Sequence, residues 1–218
     1  MNGITSSTAL WYASRATGVV ALVLLTAVMV LGILVHRQGR LPGLPRFAAT
    51  SLHRSASLLS VAFVGLHVVT AIADPYVSIR AVAAVVPFAS SYKPFWLGLG
   101  ALALDLMIAL IVTSLVRARI GRHSWRAVHW LAYASWPVAF VHGITSSTDL
   151  QHGRLLDLAI LCCIAIAGAL VWRAAGSASA LPRTERAARV LADTSVRRPQ
   201  GRDAEPTARR ANQKAEIR

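Results

Sequence analysis

Long apolar stretches separated by short polar clumps run through residues 1–173. A bilayer core takes roughly 17–25 apolar residues per helix. Five stretches meet that length: Ala16–Val35, Ser55–Ala73, Phe95–Val116, Ala127–Ile144 and Leu155–Trp172. The second extends back toward Ala48. A sixth, Ala81–Ala89, is too short to span and contains Pro87, so it reads as a surface or re-entrant piece. The leader before the first run holds a single Arg, and no clean small-x-small site follows the run, so it does not read as a cleaved signal. The pattern predicts an all-α integral membrane bundle of about five transmembrane helices. From residue 174 the pattern changes to a charged, Pro- and Ala-rich tail, 174–218, that reads as basic, disordered and cytoplasmic, touching anionic lipid headgroups. Within it, Thr184–Asp193 has the pattern of one short helix.

Composition sharpens this division. The chain is 55% hydrophobic and only 15% charged, yet its formal net charge is +14. Disorder needs low hydrophobicity, which excludes it for most of the chain. Two adjacent cysteines exclude a disulfide scaffold. The basic balance does not signal nucleic acid, because a nucleic-acid binder would not carry this much uninterrupted apolar sequence. The charge instead sets orientation. Arg37, Arg40, Arg46 and Arg54 lie between spans one and two, and Arg117, Arg119, Arg122 and Arg126 between spans three and four. The opposite side holds only Arg15, Arg80, Lys93 and Arg154. These counts place the N-terminus outside and the C-terminus in the cytoplasm of a multi-pass membrane protein.

Seven histidines follow. His36, His123 and His152 lie in or beside loops. His53 and His67 lie on span two, and His129 and His142 on span four. An ionisable group inside a membrane is costly and marks function by default. His53 and His67 are 14 residues apart, which is near four helical turns, so they share a face about 21 Å apart. Spans two and four run in the same direction. His53 and His129 therefore lie at the cytoplasmic level, and His67 and His142 at the outer level. His129 and His142 are 13 residues apart, which an ideal straight helix does not bring to one face. Pro137 lies between them and can kink or rotate the helix.

Two histidine pairs, one per leaflet, suit two bis-histidine haems, because haem iron accepts axial imidazoles. Stacked haems would make an electron route across an insulator. A proton relay would mix carboxylates with the histidines, and only Asp105 lies deep in a span. A zinc or copper site would gather three or four ligands. The rival reading is a non-redox transporter or channel component that uses the intramembrane histidines for protons or metal.

His53-x13-His67 with His129-x12-His142 resembles the haem-ligand pattern of the ferric reductase-like transmembrane superfamily. That superfamily includes ferric reductases, the membrane half of NADPH oxidases and the haem subunit of the bacterial periplasmic methionine sulfoxide reductase system. The stretches RATGVVALVLL, LHRSAS and WRAVHWLAYASWP are similar to bacterial members, and the resemblance covers residues 11–173. It implies two haems b, with His53 and His129 on the inner iron and His67 and His142 on the outer. It implies the haem-binding membrane subunit of an oxidoreductase, carrying electrons from a cytoplasmic-side donor to an extracytoplasmic acceptor. Residues 174–218 contain no Gly-rich dinucleotide fingerprint and no length for a FAD or NAD(P)H domain. The expectation is therefore a separate flavoprotein or quinol donor. The expected acceptor is ferric iron, oxygen, or a flavin-binding or molybdenum-containing redox partner outside.

Other residues fit that frame. Haem propionates need cations; Arg54 and Arg126 stand at the inner level and Arg15 at the outer. Gly18, Gly65 and Gly143 could let a flat macrocycle approach the backbone, or let helices pack. Asp105 is expected to hydrogen-bond a neighbouring helix. Trp125, Trp130, Tyr133 and Trp136 read as interfacial and haem-edge packing, and Cys162 and Cys163 as apolar filler. The hexapeptide GITSST occurs at Gly3–Thr8 and Gly143–Thr148, with no chemistry attached beyond polar helix ends.

Overall fold

In the computed structural model the backbone is described for residues 2–36, 46–75 and 79–178. The tail beyond Ala178, including the short helix expected at Thr184–Asp193, lies outside them. Seven α-helices follow in order: α1 Asn2–His36, α2 Arg46–Ala73, α3 Val82–Val85, α4 Pro94–Leu115, α5 Arg117–His129, α6 Ala132–Ser146 and α7 Gly153–Ala178. A 3₁₀ turn, Asp149–Gln151, precedes α7. No strand occurs among the described residues. The molecule is an all-helical integral membrane bundle. Four segments are long and apolar enough to cross a bilayer: Thr8–Val35, Phe47–Ala73, Pro94–Leu115 and Gly153–Ala175. Leu58, Val69, Leu115, Leu161 and Val171 are exposed on them, as lipid-facing side chains should be.

The fourth expected span, Ala127–Ile144, is not one unbroken helix. It is divided between the end of α5 and the 15 residues of α6, about 22 Å of helix at 1.5 Å per residue. That length falls short of a bilayer core of about 30 Å. Yet the chain does not reverse at the division. Trp130 and Leu131 keep right-handed helical angles, at φ −64°, ψ −23° and φ −62°, ψ −17°. What changes is the hydrogen bonding. Leu131, Tyr133 and Ala134 donate to the carbonyls of Val128, Trp130 and Leu131, three residues back rather than four. The tightening sits just ahead of Pro137, whose ring removes an N–H and crowds the carbonyl of Tyr133. The junction of α5 and α6 is therefore an overwound helical turn rather than a reversal of the chain.

The overwinding bears on the 13-residue spacing. At 100° per residue, His142 would fall about 140° short of the face of His129. Each residue in 3₁₀ geometry turns about 20° further, so three or four of them recover roughly 60–80°. Gly121, at φ 79° and ψ 162°, separately breaks α5 nearer its start. Only glycine takes that angle without a steric penalty.

Packing divides the helices into carriers and backing. α1 lies antiparallel to α2, and α4 antiparallel to α6; α1 also touches α6. Behind them, Met29 and Ile33 of α1, Trp136 of α6, and Cys162 and Ile166 of α7 form a buried cluster. Leu22, Leu150 and Ala159 form a second one. Cys162 thus fills apolar space, as its type suggested. Trp136 stacks on Phe140 and donates its indole N–H to Thr26 Oγ1 at 2.9 Å, tying α6 to α1. Asp105 is half-buried on α4 and makes no hydrogen bond among the described residues. The expected interhelical bond from its carboxyl is not formed. The short helix α3 does not span; Phe88 beyond it, at φ 67°, lies against Gly98 of α4.

Thr26→Val should leave the buried indole N–H of Trp136 without an acceptor. Interhelical bonds of this kind contribute about 0.6–2 kcal/mol in membranes. A fall of that size in detergent unfolding, absent in a Thr26→Ser variant, is the expected result; equal stability of all three proteins would refute the tie.

Candidate functional site

The four intramembrane histidines come together in two levels, in the pairs anticipated from spacing. The rings of His67 on α2 and His142 on α6 have centroids 6.4 Å apart, with planes inclined by 72°. His53 and His129 are close enough to act on each other electrostatically. Among the described residues no group of three or more His, Cys, Asp or Glu side chains gathers in one place. The site is thus two imidazole pairs rather than a closed metal cluster.

Three of the four rings are held in the same way. His53 Nδ1 donates to the carbonyl of Val28 at 3.1 Å. His67 Nδ1 donates to Ser14 at 2.8 Å, and His142 Nδ1 to Trp96 at 2.8 Å. Ser146 Oγ lies 3.2 Å from the same nitrogen of His142. An imidazole that gives its Nδ1 proton to a carbonyl keeps Nε2 as a bare lone pair, the form that binds a metal.

Each of these carbonyls stands four residues before a glycine that touches the same ring. A Cβ on Gly32 would lie 3.3 Å from the His53 ring. One on Gly18 would lie 3.0 Å from His67, and one on Gly100 only 2.6 Å from His142. The reason is geometric. Every helical Cβ leans toward the N-terminus, over the turn behind it. A side chain at residue i+4 therefore shields the carbonyl of residue i. Glycine leaves that carbonyl open, and its second lone pair accepts the imidazole.

His129 is different. Its Nδ1 is buried and has no hydrogen-bond partner. The ring instead stacks on Trp125 at 4.8 Å, inclined by 24°. Trp125 Nε1 reaches Ser114 Oγ at 3.4 Å, which sets this level of α5 beside the end of α4. There Thr113 donates its own hydroxyl to the carbonyls of Ala109 and Leu110, at 2.6 and 3.3 Å.

The three arginines expected at the site lie at its edges. Arg15 is bound to other groups: its Nε lies 2.5 Å from Asp149 Oδ2, its NH2 group donates to Ser147 Oγ at 2.8 Å, and its guanidinium sits 4.1 Å over the Trp11 ring. This knot joins the outer part of α1 to the loop after α6, through the second GITSST copy. Arg54 is exposed and borders a shallow open recess with Phe47, Thr50 and Ser51 at the start of α2. Arg126 is exposed on α5. Of the glycines anticipated from sequence, only Gly18 meets a histidine. Gly65 has nothing within 4 Å of an added Cβ, and Gly143 faces Leu150. Gly32, Gly100 and the stack of Trp125 on His129 escaped sequence reasoning. One signal was available for the first: Gly18 and Gly32 are 14 residues apart, the separation of His53 and His67.

A family model described as "Ferric reductase like transmembrane component" matches residues 17–140. No curated protein and no solved structure matches the chain.

The pairing can be checked by cross-linking in a background with Cys162 and Cys163 replaced by alanine. Dibromobimane should bridge cysteines placed at 67 and 142, and at 53 and 129. It should not bridge 53 with 142. Bridging of that last pair, or of none, would contradict the two levels.

Proposed function

The chain belongs to the ferric reductase-like transmembrane component family, and from that premise we propose that it carries electrons across the membrane through two bis-histidine haems b. His53 and His129 would hold the inner haem, and His67 and His142 the outer. The family places the chain among transmembrane oxidoreductase components. The separation of His67 and His142 carries the finer reading. Two imidazoles bonded to one first-row metal at about 2.0–2.1 Å hold their ring centres about 6 Å apart, and these two are 6.4 Å apart. Both rings give their Nδ1 protons to backbone carbonyls, so both bare nitrogens are Nε2. α2 and α6 are not packed side by side among the described residues, as a flat group held between them would require.

When bound, each haem supplies a one-electron ferric–ferrous couple. The protein's part is to hold, separate and insulate. Four helical turns set the two levels about 21 Å apart on α2. All four histidines are partly buried. Arg54 and Arg126, exposed at the inner level, are free to meet anionic propionates there. Arg15 would serve the outer level with the part of its fork not turned to Asp149. Orientation follows charge. Arg117, Arg119, Arg122 and Arg126 of α5 are all exposed, whereas Arg15 on the other side is neutralised by Asp149. On the positive-inside rule we read α5 as cytoplasmic and the N-terminus as outside, with Arg80, Lys93 and Arg154 as the further cations of the outer side. Electrons would enter from a flavoprotein or quinol on the α5 side and leave to an extracytoplasmic acceptor, in a plasma membrane of bacterial type.

Purified in detergent, the chain should show the reduced-minus-oxidised bands of haem b at two haems per chain. His67→Ala and His142→Ala should each remove about half of that signal, and the double variant no more than either. A chain without chromophore, or a His67→Ala protein with full haem content, would rule the reading out in favour of a proton or metal transporter.

A further inference from the structure

The three glycine-opened carbonyls are unevenly shared between the two histidine pairs. The outer pair has two, at Ser14 for His67 and at Trp96 for His142. The inner pair has one, at Val28 for His53, and His129 has none. We propose that Gly18, Gly32 and Gly100 are positioning residues that set the donor strength of three haem ligands, and that His129, lacking such a carbonyl, makes the inner haem the higher-potential of the two. This rests on the haem reading above.

The physical chain is short. An imidazole whose Nδ1–H is hydrogen-bonded is a more basic ligand at Nε2. A more basic axial ligand favours the ferric over the ferrous form and so lowers the reduction potential. Burial also matters for potential, but it acts on the macrocycle as a whole. The hydrogen bond acts on one ligand of one haem, and a single methyl group can remove it. Gly100 is the most sensitive point: an added Cβ would stand 2.6 Å from His142 Cε1 and 2.8 Å from its Nδ1, so the ring must move off the Trp96 carbonyl. Gly18→Ala presses on His67 more gently, with both Cε1 and Nδ1 at 3.0 Å. Gly32→Ala meets His53 Cε1 at 3.3 Å and should act least. Gly168 lies on α7, which carries no histidine, and faces open space. It is the internal control for the effect of adding a methyl group to this bundle.

The experiment is a mediated redox titration of purified full-length protein, followed by the haem b absorbance. The unaltered chain should titrate in two steps. Gly100→Ala and Gly18→Ala should both move the lower step upward and leave the upper step in place. Gly32→Ala should move the upper step upward, by less. Gly168→Ala should move neither. If Gly100→Ala empties its site, Gly18→Ala provides the reading on the same step. Steps that stay put in all the glycine variants, or a Gly100→Ala shift confined to the upper step, would overturn the inference while leaving the haem reading intact. A purified chain with no haem would instead remove the reading on which the inference depends.

Discussion

A buried imidazole can offer a bare nitrogen only if its other nitrogen has an acceptor for the proton. Inside a membrane that demand is hard to meet. Water is absent, and the backbone carbonyls are already spent on the helices themselves. What remains is the second lone pair of a carbonyl, which a neighbouring helix normally hides beneath its own side chains. The arrangement of this bundle follows from that scarcity. α1 and α4 expose carbonyls at glycines; α2 and α6 bring the histidines to them. The antiparallel register of α1 and α2 is fixed twice, once at each end, because the 14-residue step between Gly18 and Gly32 equals the step between His53 and His67. A slip of one residue would break both contacts together.

That dependence explains what was legible in the sequence and what was not. The spans could be read because lipid demands long apolar runs. The levels could be read because 14 residues is close to four turns, and the cost of a histidine in lipid singled out these four from seven. The hydrogen-bond partners could not be read, because a carbonyl belongs to every residue and leaves no mark in residue type. Gly32 and Gly100 were lost among fourteen glycines; only contact with a specific ring distinguishes them. Arg15 was expected at an outer propionate, and its pairing with Asp149, 134 residues away, has no local signature. Asp105, expected to bridge helices, stands without a partner because nothing in its spacing specifies a donor on the facing helix.

Charge and packing then act on different parts of the molecule. The arginines of α5 are exposed and answer to the membrane surface. Arg15 is only partly exposed, and its contacts are internal: a carboxylate, a hydroxyl and an indole. It holds α1 to the α6–α7 connection at the level where His67 and His142 face each other. A positive-inside count treats Arg15 and Arg126 alike. Their surroundings give one a structural task and leave the other available to ligand or lipid.

The tightened turn between α5 and α6 reduces the one discrepancy in this scheme. His129 and His142 are a residue closer in sequence than His53 and His67. On ideal helices they would miss both in direction and in height, with a rise of about 19.5 Å against 21 Å. A 3₁₀ segment acts on both errors in the same sense, making up the rise and about half of the turn. It turns further per residue and rises about 2.0 Å rather than 1.5 Å, so three or four such residues bring the rise to about 21 Å. The i→i+3 bonds at Leu131, Tyr133 and Ala134 are of that number and lie between the two histidines. Pro137 excludes the regular bonding that would otherwise run through the next turn. The overwound stretch is therefore a fitting piece that lets a 13-residue spacing on one helix match the rise of a 14-residue spacing on another. Its position also accounts for the fourth ring. It begins at the residues beside His129, the one histidine whose Nδ1 finds no carbonyl, so the correction in height is made at the end of the span where the ring is least constrained.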